Sequence, residues 1–176
     1  LIASEKPLTQ YFAISTAGDL FFMKGTSSEK LEFLIKNVID KGRVLADEDA
    51  VEGLLVALAK LSQDDFSMAI LERNNFFLGI LSLLLDLGSK CDTYGANRTI
   101  GIAICRMTLR VKDTDITDSL KRRISIAMVS ILTKSHNLLV LGNTISAMRA
   151  LGDAGLCRKE LLDASIEAGG GLFSRL

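Results

Sequence analysis

Tryptophan is absent from this sequence, proline occurs once (Pro7), histidine occurs once (His136), and aromatic residues make up only 6% of its 176 positions. A single proline leaves helices almost uninterrupted. A single histidine confines any Ser-His-Asp arrangement to His136, which stands in a KSHNLL turn with no GxSxG elbow anywhere in the chain. His136 therefore reads as a helix-boundary residue. The three cysteines, Cys91, Cys105 and Cys157, are odd in number and include no CxxC pair, which argues against both a disulfide framework and a zinc site. Cys105 falls within an apolar helical pattern, where a small core residue is expected. A reducing compartment, the cytoplasm or alternatively the nucleus, fits these thiols. Phosphate-loop and Rossmann fingerprints are missing as well, so neither a cofactor nor a catalytic residue is assigned.

Long apolar runs are also lacking. The chain is 48% hydrophobic with a mean hydropathy of +0.31, yet charges interrupt it before the roughly 18 apolar residues of a membrane span accumulate. The longest apolar stretch, Phe76 to Leu85, is too short to cross a bilayer. The first residues, Leu1-Ile2-Ala3-Ser4-Glu5, carry no basic leader pattern and read as the inside of a domain, so a piece of a longer chain is expected.

Charge sums to zero but is uneven, with −5 over residues 1–88 and +5 over residues 89–176. That asymmetry could steer a charged partner, but it falls short of a nucleic-acid footprint. Lys121-Arg122-Arg123 follows Asp113, Asp115 and Asp118 closely and is expected to be a solvated helix start capped by Asp118 or Ser119. Base-reading side chains at fixed repeat positions are not evident, and no nucleic acid is expected as a partner. The acidic runs Asp47-Glu48-Asp49 and Asp64-Asp65 precede helical patterns, where they favour the helix N-terminus.

What the chain does contain is repetition. LEFLIKNVIDKG (31–42) aligns with FLGILSLLLDLG (77–88) at an offset of 46, and ISIAMVSILTKS (124–135) follows 47 residues later. A further copy opens at LFSRL (172–176). A second motif interleaves: AGDLF (17–21), ALAKL (57–61), AICRM (103–107) and AMRAL (147–151), at separations of 40, 46 and 44. Apolar residues continue upstream of it at Ile14, Leu54 and Ile100, with Thr144 as the exception. Alanine at a fixed place in each copy allows close helix approach. MAILERNNFF (68–77) aligns with DASIEAGGGLF (163–173) at an offset of 95, which sets Asn74 over Gly169 at a helix-ending turn. For Gly169-Gly170-Gly171 the other readings are a flexible loop and, third, a phosphate cradle.

A period of 40–47 residues is that of HEAT and armadillo repeats. DDFSMAILERNNFFLGILSLLLDLGS and ANRTIGIAICRMT, within 64–108, resemble a complete armadillo repeat: short first helix, turn, leucine-rich second helix, loop, alanine-bearing third helix. Residues 119–155 resemble its successor and 29–61 its predecessor. The resemblance implies an all-α, right-handed α-solenoid, an armadillo-like superhelix of about three full repeats. The approximate divisions are 1–28 partial, 29–63, 64–112, 113–160 and 161–176 partial. In the copy at 113–160, Lys121-Arg122-Arg123 replaces the turn, so its short helix is expected to be lost or fused. SKCDTYG (89–95) is expected to be a longer loop than its neighbours need.

The resemblance further implies a noncatalytic scaffold or adaptor whose third helices line a groove for an extended segment of a protein partner. Four-residue spacing puts Val56 with Lys60, Ile102 with Arg106 and Ser146 with Ala150 on one face, with Arg98 and Asn143 one turn upstream. The family's nuclear-import receptors have Trp and Asn at these paired positions. This chain has no tryptophan, and Lys60, Arg106 and Ala150 stand at the Asn sites, so an acidic segment is the better match. Two other roles stay open from the sequence: a regulatory repeat region joined to a larger enzyme, or a chaperone-type platform for a folding client.

Overall fold

The structure, a computed structural model, describes residues 27–45, 47–111 and 115–169. Among these residues there are eight α-helices and no strand: α1 Ser28–Gly42, α2 Glu48–Leu61, α3 Asp65–Arg73, α4 Phe77–Gly88, α5 Tyr94–Arg110, α6 Asp118–Lys134, α7 Leu138–Asp153 and α8 Arg158–Glu167. The described residues are all-α, as the resemblance implies. Pro7, the AGDLF copy with Ile14, and the copy opening at LFSRL lie outside the described residues.

Helix starts follow the polar punctuation. Ser27, Asp47, Asp64, Thr93, Thr117 and Asn137 each hold an extended N-cap backbone and accept a bond from an N–H two or three residues on. Asp64 takes both the Ser67 amide at 2.8 Å and the Ser67 hydroxyl at 2.6 Å. At α6 the cap is Thr117, bonded by the Leu120 N–H at 3.2 Å, and not Asp118 or Ser119. Asp118 is already helical and meets the N-terminal dipole from within the first turn.

Helix ends correct one alignment. The left-handed residue after α3 is Asn75, at φ 55°, whereas Asn74 stays at φ −99° as the C-cap. The Phe76 N–H bonds the Leu71 carbonyl at 2.9 Å and the Asn75 N–H bonds that of Glu72 at 3.2 Å, the double closure of a Schellman turn. After α8 the left-handed residue is Gly169, at φ 87°. Asn75, not Asn74, is therefore its counterpart; Gly170 and Gly171 lie outside the described residues. α4 ends at Gly88, with Ser89 as its C-cap still in helical backbone geometry. A Cβ on Gly88 would overlap Ile100 Cδ1, so this glycine lets α4 lie close against α5.

The 46-residue offset recurs in the structure. α1 ends at Gly42 and α4 at Gly88, while α2 starts at Glu48 and α5 at Tyr94. The loop at 89–93 therefore equals the connection at 43–47 in length, and it is two residues longer than the connection at 135–137. Residues 118–134 form one uninterrupted helix where the alignment leaves a short helix lost or fused. α8 begins at Arg158, ahead of the division expected at 161.

Helices of like position pack on one another: α2 on α5, α5 on α7, α1 on α4, and α4 on α6. α4 also packs on α5, and α6 on α8. Ile39 of α1 fits against Gly79 of α4, where a Cβ would stand 3.2 Å from its side chain. Three residues on, the two Leu83 methyls face Gly42, at 3.2 and 3.3 Å from where its Cβ would be. One contiguous core runs from Leu31 to Leu161. It absorbs Phe77, Ile80, Leu81, Leu83, Leu84, Leu85 and Leu87, because α1, α2, α5 and α6 surround α4. Among the described residues no single helix is long and apolar enough to cross a membrane, and α3 and α4 are bent by 112° where they meet.

Ion pairs bridge neighbouring elements: Glu32–Arg73 at 3.5 Å, Glu72–Arg110 at 3.9 Å and Arg122–Glu167 at 2.9 Å. Each is solvent-exposed and contributes little alone. Asp86 is shared by Arg43 at 3.5 Å and Arg123 at 2.6 Å. Two of the three residues in the Lys121-Arg122-Arg123 run are thus committed to carboxylates of adjacent helices.

All three cysteines are buried and none is in a disulfide. Burial pushes the Cys105 thiol above its ordinary value, against the smaller opposing pull of Arg106. Only the thiolate attacks a disulfide reagent, so a raised thiol stays unreactive further into the alkaline range. With Ellman's reagent at pH 8 we expect less than about one thiol to react in native protein and all three after denaturation. Rapid native labelling of Cys105 would contradict its burial.

Candidate partner-binding face

α2, α5 and α7 lie side by side, and each presents one flank outward. On α2 the outward residues Val56 and Lys60 are half-buried and exposed; on α5 Ile102 and Arg106 repeat that pair 46 residues later with the same exposure. On α7 Ser146 is exposed and Ala150 half-buried. The alanines that mark this motif, Ala57, Ala103 and Ala147, point the other way and are buried at 6%, 0% and 5% exposure. Helical periodicity thus separates a packing row from an outward row within each helix.

The register between α5 and α7 is set by small residues. Gly101 lies against Thr144, whose Oγ1 would be 3.3 Å from a Cβ there. Thr144 breaks the apolar rule upstream of the motif, yet it is buried at 1% exposure with its hydroxyl donating to the Val140 carbonyl at 2.8 Å. A buried polar group that finds its bond inside its own helix costs little. Next to Thr144, the Asn143 side-chain amide donates at 3.4 Å to the carbonyl of Arg98, one turn before Gly101, so these two predicted residues do meet across α5 and α7. The Arg98 side chain is exposed.

The cations of this face stand apart from the ion-pair network. Lys60, Arg98 and Arg106 have no salt-bridge partner among the described residues, as is also true of Lys30, Lys36, Lys41, Lys90, Arg158 and Lys159, whereas Arg43, Arg73, Arg110, Arg122, Arg123, Lys134 and Arg149 each have one. Glu52 belongs to the face too, though the pairing of residues around alanine does not include it. It sits one turn before Val56, and a Cβ on Gly95 would overlap its Oε1, so the absent side chain of Gly95 seats this carboxylate between α2 and α5. The i, i+4 row 52, 56, 60 was the available signal. Its charge runs from acidic at Glu52 to basic at Lys60.

His136 is exposed between α6 and α7, consistent with a helix-boundary place. Among the described residues no group of three His, Cys, Asp or Glu side chains converges in a metal-binding arrangement. No family model, curated protein or solved structure matches the chain.

Proposed function

We propose that this chain is a noncatalytic protein-interaction module, an armadillo-like right-handed superhelix in which α2, α5 and α7 are third helices holding an extended, acidic segment of a protein partner. The observation that carries this reading is the repetition of an exposed cation, Lys60 and then Arg106, at equivalent places on adjacent packed helices with no anionic partner among the described residues. Val56 and Ile102 beside them supply apolar contact, Arg98 adds a third cation, and Asn143, Ser146 and Ala150 continue the face onto α7.

Spacing sharpens the expected ligand. Packed helix axes lie roughly 8–10 Å apart, and a segment extended in the polyproline II form advances about 3.1 Å per residue with every third side chain on the same face. Carboxylates three residues apart therefore match Lys60 and Arg106. A fluorescent peptide with glutamate at every third position should bind the full chain at low salt. Lys60→Glu with Arg106→Glu should weaken it by about tenfold or more, and a lysine version of the peptide should prefer the reversed protein. Unchanged affinity on double reversal at low salt would refute the groove. Screening makes higher ionic strength a poor test, because the Debye length is about 10 Å at 0.1 M.

A further inference from the structure

The seam between α4 and α6 is open where the seam between α1 and α4 is filled. Ile39, Gly42 and Arg43 of the first seam correspond at offset 46 to Leu85, Gly88 and Ser89. Gly79 and Leu83, which meet Ile39 and Gly42 there, correspond at offset 47 to Ile126 and Ser130 of α6. All five of these second-seam residues line one cleft of about 360 Å³. Two replacements account for the opening. Ile126 stands where glycine allowed close approach, and it is left 47% exposed. Ser130 stands where Leu83 packs its methyls onto glycine, leaving that space empty above an apolar floor of Leu84, Ile100 and Ile131.

The walls are preformed. Asn97 donates to Asp92 at 2.9 Å, and Cys91 is buried, which holds the 89–93 loop against α5. At one end Asp86 faces two guanidiniums, Arg43 and Arg123, so that end keeps an unbalanced positive charge, with the Lys90 ammonium bonded nearby to the Arg43 carbonyl at 3.0 Å. At the other end Lys134 and Asp92 stand 4.0 Å apart and cancel. From Arg123 to Lys134 the cleft follows α6 for roughly 16 Å at 1.5 Å per residue. Its volume lies at the small end of the roughly 300–1,000 Å³ of ligand sites.

We propose that this cleft is a second docking site, sharing no residue with the α2–α5–α7 face, for an amphipathic helical segment of a protein partner. That segment inserts a leucine-type side chain over Gly88 and Ser130, replacing the missing Leu83 equivalent. It also places a carboxylate at Arg123 and Arg43, about 10 Å or two helical turns away. Shape selects the branched aliphatic anchor, and the surplus of arginine over aspartate selects the acid.

The test uses the full chain with methyl-labelled isoleucine and leucine. The probe is a 15-residue alanine-glutamine helical peptide carrying one leucine and one glutamate seven residues apart, made in both chain orders. One order should give saturable shifts at Ile126, Ile131 and Leu85. Leucine→alanine in the peptide should weaken binding by about tenfold, and glutamate→lysine by about threefold or more. Ser130→Leu should fill the cleft, abolish the shifts and raise the melting temperature. Should that variant misfold, Arg123→Glu serves instead and should reverse the preference to the lysine peptide. Absence of saturable shifts, indifference to the glutamate, or the same methyl shifts on raising protein concentration alone would overturn the proposal; the last would mean a second copy of this chain occupies the cleft.

Discussion

Leu83→Ala is expected to lower the unfolding free energy by about 2–5 kcal/mol, the range for deleting a fully buried leucine and leaving a partly relaxed cavity. Leu83 is 0% exposed, and its methyls fill the seam between α1 and α4 against Gly42. For a chain of this size each kcal/mol shifts the melting temperature by roughly 2–4 °C, so calorimetry should resolve the loss easily. The site also predicts a coupling. Gly42→Ala alone places a Cβ 2.9 Å from Leu54 Cδ2 and 3.2 and 3.3 Å from the Leu83 methyls. With Leu83 shortened, two of those three contacts vanish and the added methyl occupies vacated space. Gly42→Ala should therefore cost at least about 0.5 kcal/mol less in the Leu83→Ala background than in the parent. Strict additivity would mean that the two residues do not share this seam.

Gly88→Ala should destabilise by about 1–3 kcal/mol through overpacking, even though alanine is the better helix former by roughly 0.5–1 kcal/mol. The steric term wins because the new Cβ would overlap Ile100 Cδ1, and relieving that overlap means turning a 3% exposed side chain out of its packed position toward the cleft it floors. Ile100→Val removes that terminal methyl at a cost of about 0.5–1.5 kcal/mol. The double variant should be more stable than Gly88→Ala alone, and urea melts of the three proteins would check the order. If Gly88→Ala proved stabilising, the glycine would be a propensity defect and not a contact between α4 and α5.

Much of this is legible in the amino-acid sequence. Apolar residues at three- and four-residue spacing mark α1, α4, α5 and α6, because one buried stripe per helix is a local consequence of 3.6 residues per turn. The 46-residue offset that pairs LEFLIKNVIDKG with FLGILSLLLDLG reappears as helix ends at Gly42 and Gly88. Lys60 and Arg106 were identifiable as outward residues for the same reason. The turn after α3 was legible as a turn but not to the residue. Asn74 and Asn75 both tolerate a left-handed backbone, and the choice follows from where Leu71 and Glu72 offer their carbonyls. At α6, Thr117, Asp118 and Ser119 are all capping residues by type, and only the backbone shows which one remains outside the helix.

The helical class, the inward row of alanines and leucines and the outward cations follow from order along one helix, and the repeat length from order along the chain, so all of them can be read without tertiary contacts. The tertiary structure alone decided that Glu52 rests over Gly95, that Arg43 and Arg123 share Asp86, and that Ser130 leaves a cleft where Leu83 closes a seam. Those features depend on volumes and charges brought together from elements forty or more residues apart. Periodicity shows which way a side chain faces; whether the space it faces is filled depends on the neighbouring helix.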